Sequence, residues 1–500
     1  MSKEREQWSS KIGFIMAAMG SAVGLGNIWR YPYVAYENGG GAFLIPYFFA
    51  LFTAGIPILI LEYSIGHKFR GSTPLALARA NKKWEWLGWW PSINSMVILV
   101  YYSAILAWAV NYFFLAFSRG WGDDPNKFFF GQFLGLSEGL WKFGGIQWHI
   151  VAAMTLIWGI NWFICYRGIS GGIEKLNRVL LPTLFIIMVI IVIRGVTLPG
   201  AVQGLEKLLN PDWSKVLDYK VWIAAYGQIF YSLSLAMGIM MTYSSYLPKK
   251  TDIVNSAFIT GLANSGFEFL SALGVFGILG YMANIQGVPV EKVATQGIGL
   301  AFVAFPQAIN VMPGIFKVLL GVLFFLGLVF AGLTSTVSLV EAFSGALIDK
   351  FNISRKKIVT FTAIVGYIVG LVFATGAGLY ILDIVDNFIN SFGIVIVGIL
   401  EAIIIGWWFG THKIREHVNP ISHYPLGSWW DIAIKFITPA VLAYMIINNI
   451  IGNITKPYGG YPLDALILLG WTVVGTTLIL SFVLASRPWG NKKLVNHENE

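Results

Sequence analysis

The chain of 500 residues is 56% hydrophobic and only 12% charged, against about 25% charged in an ordinary soluble domain. It lacks the polar cover to enclose so much apolar material in water, and the solvent that fits is lipid; aromatics at 15%, with 20 Trp, suit the interfacial belts of a membrane protein. The single Cys165 excludes an intramolecular disulfide, and the +9 formal charge, scattered through short loops as Lys and Arg, is a topology signal and not a nucleic-acid footprint.

Residues 1–11 are polar, with no hydrophobic run ending at a cleavage site, so they are expected to form a tail ahead of a first span that is its own insertion signal. Runs of about 20 apolar residues, enough to cross a bilayer, predict an all-α polytopic protein of about twelve transmembrane helices over 12–36, 42–66, 87–117, 148–166, 180–196, 221–247, 253–282, 315–348, 358–375, 381–409, 432–451 and 463–484. A polar tail, 485–500, closes the chain. Lys3, Arg5, Lys11, Arg70, Lys83, Arg167, Lys250, Lys350, Arg355, Lys492 and Lys493 fall on the side that carries both ends, which predicts cytoplasmic termini in a plasma (bacterial inner) membrane. In the opposite loop 283–313, residues 290–302 are expected to form a short lid or re-entrant helix.

Two spans differ from the rest. The first reads Met19-Gly-Ser-Ala-Val-Gly-Leu-Gly-Asn27, followed by Arg30 and Pro32; the sixth reads Gly227-Gln-Ile-Phe-Tyr-Ser-Leu-Ser-Leu-Ala-Met-Gly238. Gly and Ser weaken a helix, and at membrane depth non-helical backbone survives only where it lines a cavity or is buried in protein. A break exposes carbonyls that suit cations at one half-helix end and amides that suit carboxylates at the other. On their spacing alone Gly20 and Gly24 read equally as a close-packing face. Their place shifts that balance: breaks in spans one and six are five apart, and an odd-numbered repeat must insert its second copy upside down. The predicted units are a first five-helix repeat over 12–196, an inverted second over 221–409, and helices eleven and twelve over 432–484. Paired breaks of this kind point to a transporter site.

The run Ser21-Ala-Val-Gly-Leu-Gly-Asn-Ile-Trp-Arg-Tyr-Pro32, then Glu37-Asn-Gly-Gly-Gly-Ala-Phe43, Tyr231-Ser-Leu-Ser234 and Ala331-Gly-Leu-Thr-Ser335, resembles the neurotransmitter:sodium symporter family, above all its bacterial amino-acid members, across spans one to ten. The resemblance implies two sodium sites: the first from Ala22, Asn27, Ser232 and Asn264, the second from Gly20, Val23, Ala331, Thr334 and Ser335. These carbonyls, amides and hydroxyls are the oxygen ligands a hard cation prefers. It also implies that Glu268, one turn after Asn264, supplies the charge that chloride gives in other members, with Tyr47 and Gln228 beside it. An intramembrane carboxylate is a functional group by default. The chain is therefore expected to be chloride-independent, with Glu268 exchanging a proton during the return step.

The matching substrate lining is Ser21, Ala22, Gly24, Leu25, Gly26, Ile98, Tyr102, Tyr231, Ser232, Ser234, Met237, Ser335 and Leu339. Monoamine carriers have an aspartate where this chain has Gly24, so the substrate is expected to bring its own carboxylate; no fixed charge faces its side chain, and burying a charged one there would be unfavourable. A neutral, hydrophobic or aromatic amino acid follows, carried by alternating access. Ser21 and Ala236 depart from residues common in relatives, and Ala236 is expected to make the sixth break less open. Arg30 and Asp386 match an outer gate pair, Arg5 and Asp349, with Trp8, an inner latch, and Gly172 and Pro182 a stretch of span five that unwinds. The alternative is a proton-coupled carrier of a related five-helix-repeat fold, which would replace the Thr334 and Ser335 hydroxyls with an ionisable group. An enzyme is not expected: His67, His149, His412, His417, His423 and His497 lie mainly in or near loops.

Overall fold

Lipid offers no partners to backbone amides and carbonyls, so apolar runs close their hydrogen bonds within helices. The computed structural model describes residues 5–295, 297–314 and 316–491, and among these every regular element is helical apart from one isolated bridge between Ile146 and Thr375. Lys3, Lys492, Lys493 and His497 lie outside the described residues.

Ten described helices are long and apolar enough to cross a membrane, and an eleventh span is the bent pair Lys11–Ala22 and Leu25–Glu37, which meet at 57°. The sixth expected span is laid out as two shorter helices, Tyr219–Ser232 and Ile239–Ser244, separated by non-helical backbone. Large hydrophobic side chains such as Phe48, Phe52, Phe114, Phe163, Ile186 and Ile368 face outward along these helices, a surface that suits acyl chains and not water. The protein is an integral membrane protein.

Most boundaries fall within a few residues of expectation, and Trp148–Tyr166 coincides with it. Two differ. The fifth span begins at Ile169, not 180, because Glu174 and Asn177 are buried against the first span and extend the helix where hydropathy alone ends it. The short helix expected in the loop 283–313 covers Leu300–Val311, not 290–302. Gly297 takes a left-handed φ of +59° that interrupts a helix there.

The third span, Lys82–Ser118, packs along the eighth, Phe316–Phe351. The N-terminal half of the first span lies against the fifth, seventh and eighth, and its C-terminal half against the seventh, Ile253–Gln286. This arrangement puts both breaks in the interior.

Candidate functional site

The first span stops at Ala22 and restarts at Leu25, with Val23 and an extended Gly24 outside the helix between them. The Asn27 side chain bridges the gap: its Oδ1 accepts from the Gly24 amide at 2.9 Å. The next amide, Leu25 N, donates to the Tyr102 hydroxyl at 3.1 Å. At the sixth break Ser234, Ala236 and Gly238 take φ of +53°, +56° and +70°. The break forms with Ala236 in place: its amide donates to Glu62 Oε1 at 2.7 Å, a fully buried carboxylate that holds the left-handed backbone in place. The two breaks touch where Ser234 Oγ donates to the Ser21 carbonyl at 3.0 Å.

Between them lies a central cavity. All thirteen residues expected to face a substrate line it, together with Asn27, Ile239 and Ser338, and none of its lining residues is Asp, Glu, Lys or Arg. A β-carbon on Gly24 would stand 3.1 Å from both Ser335 Oγ and the Tyr102 hydroxyl and press on both, so the absence of a side chain leaves these two hydroxyls free at the cavity wall. Gly26 has a different reason: a β-carbon there would stand 2.6 Å from the Tyr231 ring, which closes over it. Ser21 Oγ pairs with Ser338 Oγ at 2.8 Å.

Beside the cavity Asn27 Nδ2 donates to Asn264 Oδ1 at 2.8 Å, and Asn264 Nδ2 to Ser232 Oγ at 3.1 Å. Three of the four residues expected at a first cation site thus meet side chain to side chain, and the fourth, Ala22, borders the same cavity. One turn along the seventh span, Glu268 is fully buried; Gln228 Nε2 donates to it at 2.6 Å, and the Tyr47 hydroxyl, 2.9 Å from Ser265 Oγ, donates to its other oxygen. On the eighth span Thr334 Oγ1 and Ser335 Oγ both donate to the Ala331 carbonyl, at 3.0 and 3.1 Å. Thr334 Cβ lies against Gly20, and Ser335 Oγ lies 3.4 Å from the Ser21 carbonyl. The oxygen donors of Ala331, Thr334 and Ser335 therefore face the first span around Gly20–Val23, a donor set that suits a sodium ion.

The expected outer gate pair is not in direct contact. Arg30 lies over the Tyr231 ring, 4.8 Å from its centroid, and Asp386 accepts from Asn390 Nδ2 at 2.8 Å. Asp386 is satisfied by its own neighbours, while the guanidinium gains an aromatic face. At the end that bears the described termini, Arg5 Nη1 donates to both oxygens of Asp349 at 3.0 and 3.1 Å, and Nη2 to Ser245 Oγ at 2.8 Å. Burial works against the Arg5 charge, but Asp349 and Tyr246 more than offset it and hold the guanidinium above its usual range. Trp8 Nε1 donates to the Tyr243 carbonyl at 2.7 Å.

Residues 5–123 and 120–487 match the sodium:neurotransmitter symporter family. The chain belongs to that family. The match runs through the last two spans, beyond the stretch in which the motifs alone carry the likeness. An uncharacterized sodium-dependent transporter of Methanocaldococcus jannaschii is 44% identical over 96% of this chain and 97% of its own length. The mouse sodium- and chloride-dependent GABA transporter 2 is 31% identical over 98% of the chain and 87% of its own, and the human sodium- and chloride-dependent taurine transporter 31% over 95% and 83%. The most similar of these three is archaeal, not bacterial. As a family member the chain is a sodium-dependent transporter, not an enzyme.

Four groups of this machinery escaped the sequence reading. Glu62, buried in a span, carries the signal that marked Glu268. Glu401 is buried with neither carboxylate oxygen hydrogen-bonded. Glu341 accepts from Arg355 Nη1 at 2.5 Å and from the Tyr246 hydroxyl at 2.6 Å, beside the Arg5 latch. Lys350 and Glu85 form a fully enclosed ion pair, and Trp489 Nε1 donates to the other Glu85 oxygen at 2.9 Å.

Proposed function

We propose that the protein couples entry of a neutral, hydrophobic or aromatic amino acid to two sodium ions by alternating access, without chloride, from a plasma membrane in which both termini are cytoplasmic. The observation that carries this reading is the uncharged lining of the central cavity, with Gly24 leaving space between Tyr102 and Ser335. With no protein charge to pair against, the bound species must be neutral overall. The Leu25 amide and Tyr102 hydroxyl, 3.1 Å apart, form a polar corner for its carboxylate, and the carbonyls of Ala22, Tyr231 and Ser232 take its ammonium group.

Asn27, Ser232, Asn264 and the Ala22 carbonyl then hold the first sodium, completed by the substrate carboxylate. Gly20, Val23, Ala331, Thr334 and Ser335 hold the second. Glu268 stands for chloride: the two named animal relatives are chloride-dependent by name, whereas here a fixed carboxylate lies in a nest of Tyr47, Gln228 and Ser265. Protonation of Glu268 on the return step would discharge it when the cations have gone. Arg30 closes the outer path by lying on Tyr231, opposite Asp386; Arg5–Asp349 closes the inner path, and unwinding between Gly172 and Pro182 opens it.

The test is uptake of a panel of labelled amino acids, with GABA, taurine and an amine lacking a carboxylate, into proteoliposomes under sodium or potassium gradients and with chloride or gluconate. Sodium-driven, chloride-insensitive uptake of neutral α-amino acids is expected. Equal uptake in sodium and potassium refutes the coupling, uptake of the amine refutes the substrate class, and preference for GABA or taurine moves the substrate to the longer zwitterions those relatives are named for.

A further inference from the structure

Asn177 lies on the fifth span between Gly172 and Pro182, and its side chain is fully buried. Its Nδ2 donates one turn back to the Ile173 carbonyl at 2.9 Å, whereas its Oδ1 has no hydrogen-bond partner. An unpaired buried amide oxygen is destabilising, and such atoms in folded proteins are met by a donor, a water or an ion. This one lies against the first span at Gly20. It stands 1.9 Å from where a β-carbon on Gly20 would be, and Thr334 Cβ stands 3.2 Å from the same point. Gly20 and Thr334 belong to the second sodium set, so Oδ1 arrives at that set from a third helix.

The same helix face holds the inner half of the first span at a second place. Glu174, three residues before Asn177, presses on Gly13 as Asn177 presses on Gly20, and accepts from the Ser9 amide and hydroxyl at 2.8 and 2.5 Å. The inner half of the first span, which the proposed cycle must move, is thus seated on the fifth by two polar side chains over two glycines.

We infer that Asn177 Oδ1 is an additional oxygen of the second sodium site, taking the ion or its water while the first span is seated on the fifth. This rests on the two-sodium reading above. A neutral amide suits the role because sodium prefers oxygen ligands and an amide adds no charge that would oppose release. Asn177 also sits in a loosened part of its helix. The turn Ile169–Ile173 is wide, and Pro182 offers no amide to the carbonyl one turn earlier. Opening there withdraws one oxygen from the ion, so Asn177 tunes both the sodium dependence and the cation selectivity of that site.

The experiment titrates the purified full-length protein with sodium and with lithium at constant ionic strength, reading thermal stabilisation and equilibrium binding of radiolabelled sodium, for Asn177→Ala, Asn177→Leu, Asn177→Asp and Thr334→Ala. Asn177→Ala and the similarly branched Asn177→Leu are expected to raise the half-saturating sodium concentration about three- to tenfold, with the substrate KM at saturating sodium unchanged and with an altered sodium-to-lithium ratio. Asn177→Asp, which keeps the oxygen, restores the wild-type value or lowers it. Weakened sodium binding in Thr334→Ala with wild-type titrations in Asn177→Ala and Asn177→Leu overturns the inference and leaves the second site standing. Wild-type titration in Thr334→Ala as well removes the site itself. An equal loss in all three Asn177 variants marks a packing role and also overturns the inference.

Discussion

Gly26→Ala is the sharpest test of how the cavity closes. The new methyl group would stand 2.6 Å from Cε1 and 3.3 Å from Cδ1 of Tyr231. The ring cannot turn away freely, because the Arg30 guanidinium covers one face at 4.8 Å, and Gly26 is in the first turn of Leu25–Glu37, where the backbone is helical. Overpacking of this kind costs about 1–3 kcal/mol. The strain falls on the closed arrangement and is relieved when the outer half of the first span and the sixth break move apart. It therefore appears as weakened substrate binding, a rise of about 5- to 150-fold in KM. The assay is initial-rate uptake of the preferred substrate into proteoliposomes, alongside substrate-induced thermal stabilisation. Gly24→Ala is the control. Its methyl group would lie 3.1 Å from the Tyr102 hydroxyl and Ser335 Oγ, at the corner proposed for the shared carboxylate, so it should weaken all amino-acid substrates alike without meeting the Tyr231 ring. A KM within twofold of wild type for Gly26→Ala would refute the claim that Tyr231 seals the cavity over the first break.

Glu268→Ser removes the buried carboxylate and leaves the Tyr47 and Gln228 donors facing an anion-sized gap; transport should become chloride-dependent, and unchanged transport in gluconate would contradict the assignment. Arg5→Ala removes the bonds to Asp349 and Ser245, so hydrogen exchange over residues 5–22 should quicken while sodium-free substrate binding weakens. Lys350→Met leaves Glu85 charged and enclosed, which costs about 3–5 kcal/mol and should lower the melting temperature strongly; Lys350→Met with Glu85→Gln should recover much of that loss, because no uncompensated charge remains. Ala236→Gly removes a β-carbon from a backbone at φ +56° and should stabilise the protein by up to about 1 kcal/mol, visible as a raised melting temperature with transport retained.

The spans were legible because lipid leaves the chain one way to satisfy its backbone, so a long apolar run has a single reading. The first break was legible as well: Gly20, Gly24 and Gly26 interrupt such a run at membrane depth. The start of the fifth span was not, since Glu174 and Asn177 look like the end of a hydrophobic run until Gly13 and Gly20 are seen beneath them. How an alanine is held in the sixth break was not legible for a related reason. Intrinsic preference disfavours a left-handed alanine, but the Glu62 carboxylate lies 174 residues away and holds its amide. The separation of Arg30 from Asp386 likewise follows from a third partner, the Tyr231 ring, which no sequence distance reveals.

The hydrogen bonds around Asn27 suggest why ion and substrate should be coupled on the proposed assignment. Asn27 uses both ends of its side chain: Oδ1 holds the Gly24 amide at the first break, and Nδ2 holds Asn264, which in turn holds Ser232 at the sixth. An amide oxygen has two lone pairs, so Oδ1 can keep Gly24 while facing a cation. A sodium ion drawing on Asn27 and Asn264 would thereby fix the orientation of Gly24 and of the Leu25 amide next to it, which already points at Tyr102. The ion would set the polar corner that receives the carboxylate, and the carboxylate would complete the ion's ligands. Such coupling is reciprocal by thermodynamic necessity: whatever factor sodium adds to substrate affinity, substrate adds to sodium affinity. Asn27→Ala should therefore lower both affinities together and flatten the dependence of each on the other, whereas a residue that touches only the substrate, such as Ile98, should weaken substrate binding without changing the sodium dependence measured in its absence.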